Sequence, residues 1–136
     1  MVYLHATKTQ FKKGKPMQHH DDDRGKVLAK ACPSRAILNH LTSRWGILVL
    51  VVLQSGTKRF SEIRREIEGV SERMLSETLK QLEADGMLVR KSFDTVPPHV
   101  EYTLTDWGKQ ASDKVADLVE WLEVNLNDIL ASQPNA

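Results

Sequence analysis

The sequence predicts an α+β domain, mainly α, and three features carry that prediction. Two stretches of helical periodicity, SEIRREI and the run from Ser71 to Asp85, meet across the glycine-bearing turn EGVS. Two segments that alternate like strands, MLVRKSFD and HVEYTLT, follow and are joined by TVPP, and a long amphipathic run closes the chain from Thr105 to about Leu130. Two short helices joined by such a turn make a helix-turn-helix, and the hairpin behind them makes a wing. The expected architecture is a winged helix-turn-helix domain with a C-terminal dimerisation helix. It divides into a flexible arm over 1–28, the domain over 29–130 and a flexible tail over 131–136. Within the domain the recognition helix is expected at 71–85, the wing hairpin at 87–104 and the dimerisation helix at 105–130.

The elements follow in chain order. Residues 1–28 pass from the lysine-dotted KTQFKKGKP to HHDDD at 19–23 without helical or strand periodicity, so an arm is expected. Imidazole and carboxylate are both metal ligands, but nothing ordered fixes their geometry here, and no metal is expected. Met17 offers an alternative start. Pro33 suits a first helical position, with Ile37, Leu38 and Leu41 on one face behind it, and Thr42 or Ser43 ends that helix and caps the next. The run RWGILVLVVLQSG is ambiguous: its valines favour a strand, its length equally a buried helix. A short extended piece, TKRF, precedes a helix that keeps Phe60, Ile63 and Ile67 on one face and turns Arg64 and Arg65 away.

Ser71 is placed as the N-cap of the next helix, Glu72 suits its dipole, and Gly86 stops it. Leu75, Leu79 and Leu82 fall in one narrow arc; Arg73, Ser76, Glu77, Lys80 and the small Ala84 fall on the opposite one. The paired prolines of TVPP deny the hairpin tip any ladder bonds. In the last helix the apolar residues cover nearly half the circumference, more than one small core needs. One flank is expected on the chain's own core and the other on a second copy, with Val115, Leu118, Val119, Leu122 and Leu126 as interface candidates.

At 136 residues the chain is one domain with extensions, long enough to bury a proper core. A net charge of +1 says little about nucleic acid, because binding depends on where charge sits. The single cysteine, Cys32, excludes an internal disulfide framework and a four-cysteine zinc site. The longest apolar run, WGILVLVVL, is about half a membrane span, and the N-terminus lacks a signal peptide's apolar core. A cytoplasmic protein without a membrane partner is expected. No nucleophile with base and orienter and no phosphate-cradling glycine loop is recognisable, so no enzyme and no cofactor is expected.

Three blocks go further. CPSRAILNHLTSRWGILVLVVL, RFSEIRREIEGVSERMLSETLKQLEADGMLVR and VPPHVEYTLTDWG, in this order, resemble the HxlR family of bacterial transcriptional regulators, close to the MarR-type winged helices, over about residues 32–126. The resemblance implies that the ambiguous run is a buried helix and that the protein is a homodimer binding an inverted-repeat operator in double-stranded DNA, as a repressor. It places the helix from Ser71 to Asp85 in the major groove with Arg73, Ser76, Glu77 and Lys80 facing bases. A bidentate contact from Arg73 to guanine is worth about 1–3 kcal/mol of discrimination. Glu77 either accepts from a cytosine amino group or pairs with Arg73 or Lys80. Lys58, Arg59, Arg64 and Arg65 would contact phosphates, and Lys91 and His99 would flank the wing tip, His99 standing where many relatives carry arginine.

Cys32 occupies the position of the family's cysteine before the first helix, which in several relatives senses oxidants or electrophiles. A helix N-terminus with Lys30 and Arg35 nearby favours the thiolate; the competing reading is a small buried thiol at a dimer interface. Trp45, Trp107 and Trp121 either line an effector pocket or, for at least two of them, pack in the core. The competing function is a winged-helix adaptor for protein partners that does not bind DNA.

Overall fold

The computed structural model describes residues 24–134, and the HHDDD run and most of the expected arm lie outside them. The chain divides into two compact units, with the boundary between residues 36 and 37. Among the described residues the elements are α1 (Pro33–Leu41), α2 (Arg44–Leu53), β1 (Lys58–Arg59), α3 (Phe60–Glu66), α4 (Glu72–Ala84), β2 (Leu88–Phe93), β3 (His99–Leu104) and α5 (Asp106–Ala131). The fold is a mainly helical α+β winged helix.

The ambiguous valine-rich run is helical. The Ser43 hydroxyl accepts the Gly46 N–H at 3.0 Å and starts α2. Val49, Leu50 and Leu53 are then buried against α4, α5 and the sheet, each such side chain stabilising the fold by about 1.5–3 kcal/mol. Gly46 is required by close approach: a Cβ there would stand 2.1 Å from the His40 carbonyl oxygen. The Arg59 N–H donates to the Glu62 carboxylate at 2.7 Å, which starts α3 and holds that carboxyl below the usual range.

Ser71 caps α4 through the Met74 N–H at 3.0 Å. At the other end the Met87 N–H reaches the Leu82 carbonyl at 2.9 Å and the Gly86 N–H reaches that of Glu83 at 3.0 Å. These two bonds make a Schellman turn, and Gly86 adopts the positive φ of 80° that such a turn needs. Leu75, Leu79 and Leu82 are buried, so the apolar arc of α4 is consumed by the core together with Ile63, Ile67 and Val70.

The hairpin has a third strand that the sequence reading left as an extended piece. The sheet order is β1-β3-β2, antiparallel throughout, with Leu88 opposite Leu104, Arg90 opposite Tyr102 and Lys58 also opposite Tyr102. A hydroxyl bond of 2.7 Å between Thr57 and Thr103 closes its edge.

Thr105 caps α5 by accepting the Gly108 N–H at 3.1 Å. Gly108 lies against the Met87 carbonyl, where a Cβ would come to 1.8 Å. Ser112 and Val115 are buried, whereas Leu118, Trp121, Leu122, Val124, Leu126 and Leu130 are exposed. Two expectations change here. Val115 belongs to the chain's own core because it faces α2, and Val119 is half-buried, so the free strip begins at Leu118. Core packing holds for one tryptophan, Trp45; Trp107 and Trp121 are 62% and 55% exposed. Among the described residues no single helix is long and apolar enough to cross a membrane.

Candidate nucleic-acid interface

The outward arc of α4 carries Arg73, Glu77 and Lys80 exposed and Ser76 half-buried. Arg73 Nε lies 3.2 Å from Glu77 Oε1, one helical turn away, so the two side chains pair along the surface of the helix. Being exposed, such a pair contributes little stability and is readily exchanged for another anion or acceptor. Beside it, Ser76 and Lys80 line a shallow cavity of about 330 Å³ together with Glu83, Arg90 and Tyr102. Arg90, on β2, is a cation that the sequence reading passed over. The alternation of LVRKSF puts it on the face of the hairpin turned to α4, a signal that was legible but unused.

The helix-turn-helix elbow adds a second group. Arg64 and Arg65 of α3 line a cavity of about 380 Å³ with Phe60, Ser61 and Glu72, and Arg64 Nη1 bonds Glu72 Oε2 at 3.1 Å across the turn. Arg59 is exposed at the edge of the sheet. Lys58 bonds Glu66 through its ammonium at 3.0 Å and its side chain is mostly covered, which ties β1 to α3. A second cation missed from sequence is Arg44, at the start of α2, whose guanidinium lies 5.6 Å from the Trp45 ring centre. It shares a cavity of about 270 Å³ with Met74, Glu77 and Gln81 of α4.

In the wing, Lys91 is exposed and its ammonium lies 5.1 Å from the Phe93 ring centre. His99, at the start of β3, is engaged within the wing. Its ring stacks on Phe93 with centroids 4.6 Å apart, and Nε2 lies 3.2 Å from the Glu101 carboxylate. The wing therefore carries Lys91 near its tip, over the Phe93 ring, and engages His99 within the hairpin.

Cys32 lies in the other unit and is half-buried. Its sulfur accepts the Ser34 hydroxyl at 3.1 Å and the Lys26 N–H at 3.2 Å, and these bonds, Ser34 first, lower the thiol pKa. The source of the effect differs from expectation. Arg35 is spent on the Val27 and Leu28 carbonyls at 3.1 and 3.0 Å, and the nearby charge that favours the thiolate is that of Lys26, not of Lys30 or Arg35.

Comparison with known proteins agrees with this geometry. A family model described as HxlR-like helix-turn-helix matches residues 40–129. An uncharacterised HTH-type transcriptional regulator of Escherichia coli (strain K12), YtfH, is 56% identical over 107 residues, which cover 79% of this chain and 85% of that protein. The solved structure of the transcriptional regulator ytfH from Salmonella typhimurium superposes with a TM-score of 0.76 at 56% identity, covering 79% of this chain and 96% of that one. The redox regulator HypR in its reduced form superposes with a TM-score of 0.66 at 37% identity, covering 74% and 99%. The arrangement of α3, α4 and the wing is thus shared with proteins described as regulators of transcription, and none of these relatives is described as an enzyme. The chain belongs to the HxlR-like helix-turn-helix family of transcriptional regulators.

Proposed function

We propose that the chain is a homodimeric, sequence-specific DNA-binding regulator acting as a repressor at an inverted-repeat operator. The observation that carries this is the polar arc of α4, left uncovered by the chain's own core and flanked by cations of α3 and β2. Arg73, Ser76, Glu77 and Lys80 face base edges; Arg59, Arg64 and Arg65, with Arg44 and Arg90 added, neutralise phosphates; Lys91 reaches the backbone beside the wing. Lys58 holds the sheet instead. Glu77 has two uses that follow one another: it restrains Arg73 in the free protein and accepts from a cytosine amino group when Arg73 turns to guanine.

The second copy covers the strip formed by Leu118, Leu122 and Leu126. Two recognition helices then face successive major grooves, and half-sites about one helical turn apart are expected. Selection of duplexes from a randomised library by the purified, reduced protein tests this reading. Enriched inverted half-sites support it; enrichment of nothing beyond a salt-sensitive background sinks it in favour of an adaptor.

The lowered pKa of Cys32 favours a further reading, in which an oxidant or small electrophile modifies the thiolate and releases the operator. The relative HypR is itself described as a redox regulator. Alkylation of Cys32 by iodoacetamide is expected to rise with pH around a midpoint below that of a free thiol. Treatment with a quinone is expected to weaken operator binding in wild type and not in Cys32→Ser. A wild-type midpoint at or above the free-thiol value rejects this part.

A further inference from the structure

The recognition helix is held along its length by apolar contact, at its N-terminal end by the exposed Arg64–Glu72 pair, and at its C-terminal end by a set of more buried bonds. Asp85, the C-cap of α4, places Oδ2 2.6 Å from Nδ1 of His40 in the last turn of α1, with side-chain exposures of 13% and 30%. A carboxylate at the negative end of a helix is unfavourable by itself, so a donor opposite it is needed. His40 is in turn immobilised. Its carbonyl accepts the Ser43 hydroxyl at 3.1 Å, and the backbone of Gly46 passes directly over that oxygen. On the far side of the cap, the Thr105 hydroxyl donates to the Gly86 carbonyl at 2.6 Å and its N–H to that of Met87 at 3.0 Å. The end of α4 is thereby fixed from two directions, by the α1–α2 corner and by the cap of α5.

At the opposite end the Arg73 side chain is exposed, and the Arg64–Glu72 bond there is itself exposed and weak. Thirteen residues span about 20 Å, so a tilt of about 5° at the cap moves the N-terminal turn by about 2 Å, more than a bidentate contact tolerates. Leu75, Leu79 and Leu82 resist separation of the helix from the core but allow small rolls and slides.

We propose that His40 is a positioning residue for base reading: through Asp85 it sets the aim of α4, and so governs discrimination between sequences while leaving affinity for the DNA backbone unchanged. This inference rests on the DNA-binding reading above, and its test separates the two. His40→Phe keeps a flat ring and loses the donor. His40→Asn loses ring volume and keeps a donor close to the place of Nδ1. For each full-length variant, shown to be folded by circular dichroism, the affinity for the selected operator and for a scrambled duplex is measured across salt. Hydrogen exchange of the Asp85, Gly86 and Met87 amides is followed without DNA.

His40→Phe is expected to lower the operator-to-scrambled ratio about tenfold, the scale of one lost base contact, with the scrambled affinity and its salt slope unchanged. It is also expected to speed exchange at the three amides. His40→Asn is expected to stay close to wild type in both. If His40→Phe matches wild type, or if His40→Asn falls as far as His40→Phe, His40 is packing and the inference is overturned. A wild type that fails to discriminate rejects the DNA-binding reading on its own, and exchange then decides alone: unchanged protection in His40→Phe rejects the anchor, and faster exchange in His40→Phe with none in His40→Asn supports it.

Discussion

Helices α4 and α5 are both amphipathic, yet they spend their apolar faces differently. In α4 the leucines Leu75, Leu79 and Leu82 are fully enclosed, and what remains outside is mostly polar and charged, with Met74 partly exposed. In α5 only the first half packs inward, at Gly108, Ser112 and Val115, and the second half leaves leucines and a tryptophan in solvent. The lesson is that an uncovered face is informative by its chemistry. A charged arc on a satisfied helix has no further use for its own fold and suits a polyanion, whereas an apolar strip on an unsatisfied helix suits a copy of itself.

This contrast can be broken or sharpened by substitution. The largest effect is expected where α4 is satisfied: Leu79→Ala opens a cavity in the core and lowers unfolding free energy by about 2–5 kcal/mol, read by denaturant titration. The matching change in α5, Leu118→Glu with Leu122→Glu, is expected to leave the secondary structure intact. It should turn the dimer proposed above into a monomer in sedimentation, with affinity for the proposed operator falling about a hundredfold as two-site binding is lost. Massive unfolding in that variant would show that α5 is satisfied after all.

On the charged side, Arg73→Ala is expected to cost about 1–3 kcal/mol on the operator and to relax selection at one base position. Arg64→Ala should weaken all duplexes alike and reduce the salt slope by about 1. Equal behaviour of the two arginines would erase the distinction between α3 and α4.

The smallest effect concerns Asp117. Its Oδ1 is shielded from solvent without a hydrogen-bond partner among the described residues, and burial, then the Glu120 carboxylate, push its pKa up. A carboxyl whose folded pKa is raised penalises the fold when ionised; the penalty is complete above the folded pKa and absent below the unfolded one. Asp117→Asn, made in the monomeric background, is therefore expected to raise Tm on the order of 1–3 °C at pH 7 and to bring no gain near pH 3. An equal gain at both pH values would assign the effect to something other than charge.

Much of the fold was legible because its signals were local. Ser71, Gly86 and Thr105 act through bonds to residues within a few positions, so the bounds of α4 and α5 could be read directly from caps and stops. The helical state of residues 44–53 was not legible from their own pattern, since all-round apolar character has no period; the enclosing partners decide it. The pairing of Lys58 and Arg59 with β3 escaped notice for a different reason, because a two-residue strand has no alternation to display. At the candidate site, the polar arc of α4 followed from helical geometry. The commitments of Lys58 to Glu66, of His99 to Phe93 and Glu101, and of Arg35 to two carbonyls depend on distant or folded-back neighbours that no spacing rule specifies.

The short strand β1 has a consequence for building chimaeras. Because β3 is the middle strand, it is bonded on one side to β2 and on the other to β1, which runs straight into α3. A hairpin transplanted from a relative as residues 87–104 alone would arrive with its central strand facing a foreign edge and would set an unmatched residue opposite the hydroxyl of Thr57. The continuous cassette 57–104 carries edge strand, both helices and hairpin together and keeps the strand pairings of the sheet, while the bonds of Asp85 to His40 and of Gly86 and Met87 to Thr105 cross its ends and must be matched by the host. Recombination within that block, which parts β3 from β1, is therefore the place where hybrid folds should fail.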